Sequence, residues 1–193
     1  MAYDNFFSFL NQPAKSISGG NLLVLGESQD KMHPKEMELK EFNFSIENPT
    51  TIGSATGGAG AGKAKFGEFT IKKSVDIGSV NLFNACAQGC HFPQARLCIR
   101  KSGGPKLDYL CFWFLMLYVT KIDWSGGSGE DNPEESVTFV YGAMGMQYIA
   151  QGSDGTPMQG VAPQLGAWSQ LLNQPEFALT AGAPVTPVAP PES

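Results

Sequence analysis

The chain has 193 residues, of which 42% are apolar and 16% charged, with a formal net charge of −5. That length suits one domain with a real core rather than two. The acidic balance argues against nucleic acid as a partner, because such affinity rests on cationic contacts to phosphate.

Charge is well below the quarter usual in a solvated globule. With 13 phenylalanines, this points to surface that is buried in an assembly. The opening Met1-Ala2-Tyr3-Asp4-Asn5-Phe6 lacks the basic start and long apolar run of a secretory signal. The chain is therefore expected to be made and folded in the cytoplasm, and to leave it only by another route.

Asn5–Leu10 reads as an apolar first strand, Asn11–Gly20 as polar turns, Asn21–Gly26 as a second strand and Ser28–Lys35, with His33-Pro34, as a loop. Glu36–Glu47 looks like a strand with a fault. Met37 and Leu39 are apolar at odd positions, Phe42, Phe44 and Ile46 at even ones. A parity switch near Lys40–Glu41 is what a β-bulge produces.

Gly53–Gly62 is a long glycine-rich loop. Gly57, Gly62 and Lys63 match the first seven positions of a phosphate-binding loop, but Ala64 stands where Ser or Thr must ligate Mg²⁺. The following residues alternate like a strand instead of opening a helix, so a loop without nucleotide is expected.

Lys65–Lys73 alternates, with Phe69 and Ile71 on one side and Glu68, Thr70 and Lys72 on the other. Ser79 is placed to cap a short helix running to about Gly89, on which Leu82, Phe83 and Cys86 share a face. Such a helix is too short to stand alone in water and must lean on a sheet.

Gln94–Arg100 is the next strand, with Leu97 and Ile99 on one face and Arg96, Cys98 and Arg100 on the other. The run Tyr109–Thr120 is apolar on both faces. It is shorter than the roughly 20 residues of a membrane helix, so it reads as a central strand covered on both sides. One face serves the core; the other needs the helix or a neighbouring copy.

After the polar turn Ser125–Gly129, Glu135–Ala150 repeats the parity fault. Val137, Phe139 and Tyr141 are odd, Met144, Met146 and Tyr148 even, with Gly142 and Gly145 at the switch. Gly-kinked long strands are how sheets curl into barrels. Beyond Gln151 the pattern weakens. Gly166–Leu172 suggests an amphipathic turn, and Pro184, Pro187, Pro190 and Pro191 an extended tail.

No catalytic constellation assembles. Cys86, Cys90, Cys98 and Cys111 lack zinc-finger spacing and read as small buried apolar side chains. His33 and His91 read as loop residues, and Glu130, Asp131, Glu134 and Glu135 as a solvated turn. The basic residues Lys63, Lys65, Lys72, Lys73, Arg96, Arg100 and Lys101 face solvent from strands or pair with acidic loops, within or between chains.

Several strings together carry a resemblance. They are the opening Met1-Ala2-Tyr3-Asp4, the string from Gly60 to Thr70 (GAGKAKFGEFT), the pair Lys72-Lys73, and Leu82-Phe83-Asn84-Ala85-Cys86-Ala87-Gln88-Gly89. Arg100-Lys101-Ser102-Gly103-Gly104 and Gly126-Gly127-Ser128-Gly129-Glu130 complete the set. In this order, over roughly residues 1–150, the chain resembles the haemolysin-coregulated protein (Hcp) family of type VI secretion tube subunits.

The resemblance implies a mainly β fold, two packed antiparallel sheets forming a β-barrel with one short flanking helix at about 79–89. It implies residues 1–150 as the barrel domain and 151–178 as a partly ordered extension; the proline-rich tail 179–193, expected from its composition to be disordered, departs from the family pattern. It implies six copies in a ring, rings stacked into a hollow tube, sheath and spike proteins as partners, and effectors in the lumen. By position, the arm of Asn48, Pro49, Thr50, Thr51, Ile52, Gly53, Gly57, Gly58, Gly60, Gly62 and Lys63 would touch neighbouring subunits or rings. No enzyme activity, cofactor, metal, nucleic acid or membrane insertion is expected.

Three other readings compete with this one. One is the tail tube of a phage or another contractile injection system. Another is a small-ligand-binding β-barrel with Phe112, Trp113, Phe114 and Trp124 around a pocket. The last is an enzyme using Gly57–Lys63 for phosphate.

Overall fold

The computed structural model describes residues 3–10, 14–15, 21–49, 63–102, 106–128 and 132–179. Its elements in order are β1 (Tyr3–Leu10), β2 (Ala14–Lys15), β3 (Asn21–Leu22), β4 (Met37–Glu38), β5 (Glu41–Asn43), β6 (Ile46–Glu47), β7 (Lys65–Phe66), β8 (Phe69–Ser74) and α1 (Ser79–Gln88). There follow β9 (His91–Lys101), β10 (Asp108–Ser125), β11 (Glu134–Val140), β12 (Ala143–Tyr148) and β13 (Gln164–Ser169). The fold is mainly β, antiparallel throughout, with one short helix, as expected.

The main sheet runs β4-β1-β9-β10-β11-β8-β5. Its two ends are neighbours in the chain, since only Leu39 and Lys40 separate β4 from β5. The Leu39 N–H donates to the Asn5 carbonyl and the Lys40 N–H to that of Lys72, at 3.0 and 2.8 Å. The strand order thus returns on itself through this corner, as a barrel requires. The fault read in Glu36–Glu47 is real, but it is a full change of partner rather than a bulge within one strand.

The second fault falls where expected. β10 pairs along its first part with β12 (Leu110↔Tyr148 to Leu115↔Ala143) and along its last part with β11 (Tyr118↔Val140 to Ser125↔Glu134). At the switch Met116 adopts a left-handed φ of 54°, and the Gly142 N–H donates to the Leu115 carbonyl at 2.8 Å. Beyond it β11 continues to β8 while β12 continues to β13, so the sheet forks into two branches there. Across Met116 the core face of β10 changes from Phe112 and Phe114 to Leu117 and Val119.

The main core is aromatic. Phe69 stacks on Phe114 at 4.4 Å and Phe9 on Phe92 at 3.8 Å, with Phe7 set edge-on to Phe69. Each buried phenylalanine contributes about 1.5–3 kcal/mol. Leu82 and Ala85 bring the helix onto this core, and Gly89 ends it at φ 64°, as the sequence implied.

Several expectations need correcting. Ser79 is not the cap; Gly78 holds that place. The Ser79 hydroxyl accepts from the Asp76 N–H and donates to Glu135. Phe83 turns away from Leu82 and stands half-exposed beside Trp124. Lys65–Lys73 divides at Gly67, where an added Cβ would lie 2.4 Å from Ser45 Oγ. Strand structure in 21–26 stops at Leu22, and 164–169 is a strand, not a helical turn.

The largest correction concerns β10. Its second face needs no neighbouring copy, because the chain covers it with its own C-terminal segment. Cys98, Cys111, Trp113, Leu115, Ala143 and Phe177 form a second buried cluster, with Leu10, Ala167 and Leu179 at its margin. Phe112 is 7% and Leu115 2% exposed within one chain. Apolarity on two faces therefore does not by itself argue for self-association here.

Candidate functional site

The predicted contact arm springs from a two-stranded ribbon, β6 with β7, in which Ile46 faces Phe66 and Glu47 faces Lys65. Ile46 is 52% exposed. Asn48, Pro49 and Lys63 continue from this base and are exposed. Thr50, Thr51, Ile52, Gly53, Gly57, Gly58, Gly60 and Gly62 lie outside the described residues. The part of the glycine-rich motif that can be followed leads from Lys63 into a strand, not a helix.

The wall of β1, β9 and β10 carries a buried ionic cluster on its outer face, which the sequence reading missed. Residues 23–36 fold over it. Gly26 sits so near the Glu36 carbonyl that a Cβ would lie 2.3 Å away, which is why glycine is required there. Arg96 donates to Glu36 at 2.6 Å. Glu36 and Asp108 flank the fully buried His33 ring, one on each nitrogen, at 3.1 Å. Arg100 and Lys106 converge on Asp30 at 2.8 and 2.9 Å, and Arg100 also reaches Asp4.

Phe6 is layered between them, stacked on His33 at 4.1 Å and with the Arg100 guanidinium 4.7 Å over its face. Four cations (His33, Arg96, Arg100, Lys106) meet four carboxylates (Asp4, Asp30, Glu36, Asp108), so the cluster is neutral as a whole. Burial disfavours the His33 cation, yet the hydrogen bonds to Asp108 and Glu36 outweigh it and raise its pKa to about 9. Arg100 holds Asp30 well below the usual carboxylate range, against the effect of burial.

A second cluster pins the helix. Lys73 is 1% exposed and meets Asp76 at 2.6 Å and Glu135 at 2.8 Å, and Glu135 also accepts from Ser79 and from the Trp124 indole. Glu134 is gripped by Lys40 and Lys72, which lower its pKa to about 2. Glu134 and Glu135 are thus ion-paired, not members of a merely solvated turn. The pairing of basic strand residues with acidic loops occurs within the chain.

These groups have the partners of a structural network. Asp4, Asp30 and Arg100 border one open surface groove and Lys40 and Lys72 another, but Asp4 and Asp30 are already paired with Arg100, and Lys40 and Lys72 with Glu134. Among the described residues, Cys98, Asp108 and Cys111 are the one group of potential metal ligands close together. The two sulfurs, however, are bonded to each other, which corrects the reading of all four cysteines as isolated apolar side chains. Only Cys86 and Cys90 are free. The cause is register: Cys98 and Cys111 stand directly opposite each other on β9 and β10.

The aromatic residues proposed around a ligand pocket do not converge. Phe112 and Phe114 point into the main core, Trp113 into the second cluster, and Trp124 is half-exposed. What the molecule does offer is exposed apolar surface. Ile77, Val80 and Phe83, beside Trp124, form one patch, and Leu165 on β13 is 74% exposed. The far edge of β13 pairs with no described strand. No helix among the described residues is long and apolar enough to cross a membrane.

Comparison with known proteins gives a consistent result. Residues 14–148 match the family model for the type VI secretion system effector Hcp. Over 133 residues the chain is 34% identical to protein hcp1 of Pseudomonas aeruginosa strain PAO1, covering 68% of this chain and 82% of that one. Among solved structures, one described as a type six secretion system protein is 29% identical, with a TM-score of 0.77, over 90% of this chain and 99% of its own. Hcp1 of Salmonella typhimurium is 27% identical, with a TM-score of 0.68 and the same coverage of each chain.

Proposed function

Because the chain belongs to the Hcp family of type VI secretion proteins, we propose that it is a structural subunit of the secretion tube. Six copies close into a ring, and rings stack into a hollow conduit. Propelled by the sheath and capped by its spike, the conduit leaves the cell and carries effectors in its lumen. The chain performs no catalysis and needs no cofactor.

The observation that carries this reading is the match in fold and sequence along nearly the whole of a solved type VI secretion protein. The exposed apolar patch at Ile77, Val80 and Phe83 and the unpaired edge of β13 support it. Both are surfaces that a ring or a stack would cover. A ring interface joins two different patches of each copy and closes by rotation.

In this reading residues 1–150 are the tube wall, 151–178 an extension and 179–193 a tail. The arm from Asn48 to Lys63 (Asn48, Pro49, Thr50, Thr51, Ile52, Gly53, Gly57, Gly58, Gly60, Gly62, Lys63) reaches the next subunit or ring from its ribbon base. Purified protein should elute near six subunits' mass and appear as rings in negative stain. Shortening the arm should weaken ring stacking and leave the fold intact. A clean monomer at tens of micromolar, well above the range of weak association, would refute the tube reading.

A further inference from the structure

Cys98 and Cys111 face each other across β9 and β10, with Cα atoms 4.2 Å apart and their sulfurs bonded. Both are buried, Cys98 fully, in the cluster capped by Phe177. A disulfide is out of place in a protein that folds in the cytoplasm, where thiols are kept reduced, and at home in one that ends outside the cell. We infer that Cys98 and Cys111 form a redox clip, a dithiol while the chain folds and assembles and a disulfide once it has been exported. This rests on the export reading above.

The chemistry balances with an oxidant of the small-disulfide class, such as oxidised glutathione. One thiolate attacks the small disulfide, giving a mixed disulfide and releasing one small thiol. The second cysteine then displaces the other. Two protons and two electrons leave the protein, and one S–S bond is exchanged for another.

Position makes the pair slow to react. Attack needs a line of approach to a sulfur, and both cysteines are buried in the cluster to which Phe177 belongs, with Leu179 at its margin. Exchange therefore waits for the C-terminal cover to lift, so the redox state is held across the passage between compartments. The bond crosslinks residues 13 apart. Closing such a loop constrains the unfolded chain, and oxidation should raise Tm by roughly 5–10 °C.

Cys86 and Cys90 remain as internal controls, since neither is bonded. The test uses the full chain, fully reduced and then equilibrated with oxidised glutathione. Thiols are counted by alkylation under denaturing conditions and mass spectrometry, and each state is melted. The expected result is four alkylated cysteines falling to two, a peptide map joining Cys98 to Cys111, and a higher Tm after oxidation. Phe177→Ala should speed reduction of the folded protein by a small dithiol at least tenfold.

Four alkylatable thiols after oxidation, pairing through Cys86 or Cys90, an unchanged Tm, or no acceleration in Phe177→Ala would each overturn the clip. So would zinc retained by the reduced protein, for Asp108 and the two sulfurs would then be its ligands. Negative stain of both redox states separates the two readings. Rings without a clip refute only the clip, and monomers with a working clip refute only the tube.

Discussion

Two coverings lie side by side on the outer face of the β1, β9 and β10 wall, and they work by opposite physics. Residues 23–36 cover one stretch with charge, through His33, Glu36 and Asp30 set against Arg96, Arg100 and Asp108. Phe177 and its neighbours cover the adjoining stretch with apolar surface on Cys98, Cys111, Trp113 and Leu115. Both exclude water. The first holds only while every ion keeps its partner; the second depends on area and fit. Different perturbations should therefore break them.

The largest effect is expected from Arg96→Ala, which leaves Glu36 buried with one partner fewer. Stripping one member of a buried pair costs about 3–5 kcal/mol, and urea unfolding would measure it. The double replacement Arg96→Met with Glu36→Leu should recover most of that loss, because no charge is then stranded. A double variant as weak as the single one would show that geometry, rather than charge balance, holds this covering.

pH should act on the ionic covering alone. The folded pKa of His33, about 9, lies above the ordinary 6.5. Its contribution is therefore complete below about pH 6.5 and is lost as pH rises through 9. The amplitude is about 3 kcal/mol. Urea midpoints should fall across this window in the wild type and stay flat in His33→Gln. On the acid side a pair outside both coverings responds: the contribution of Glu134 is complete above the ordinary 4.5 and is lost as pH falls through about 2.

Phe177→Ala should cost about 3 kcal/mol, the low end for a buried phenylalanine, because a surface covering can resettle. Its pH profile should parallel that of the wild type. A changed profile would mean that the two coverings are coupled. The smallest effect belongs to Lys40→Ala at the half-exposed pair with Glu134. Its urea midpoint should barely move, and any difference should vanish at high salt.

How much of this was legible in the sequence follows from the range of the forces. Period-two alternation set the faces of β8 and β9, where Phe69, Ile71, Leu97 and Ile99 point inward. Gly89 marked the helix end, and the parity change at Gly142 marked the split of β10's partner. These are local signals. The corner at Leu39–Lys40 showed as a fault, but nothing local says that β4 and β5 belong to opposite ends of one sheet.

The His33 cluster joins positions as far apart as 33 and 108, so residue types alone could not reveal it. Arg96 and Arg100 on one strand face, and a run of acids within residues 27–36 some sixty positions earlier, were the available hint. The Cys98–Cys111 bond needs the strand register, which only the folded sheet supplies. The C-terminal covering was hidden because a weakly patterned segment can still place one phenylalanine well. The arm, Thr50 to Gly62, lies outside the described residues, and its place in the proposed function rests on the ribbon at its base.

The pairing of β1 has a consequence for synthesis. Its long neighbour is β9, with Tyr3 opposite Lys101 and Leu10 opposite Gln94. At the usual pace of translation, the roughly ninety intervening residues take about 5–20 s to appear. Throughout that wait Phe6, Phe7 and Phe9 emerge on a nascent strand whose main partner does not yet exist. The apolar face of β1 is thus left without its main partner until β9 has followed it out of the ribosome.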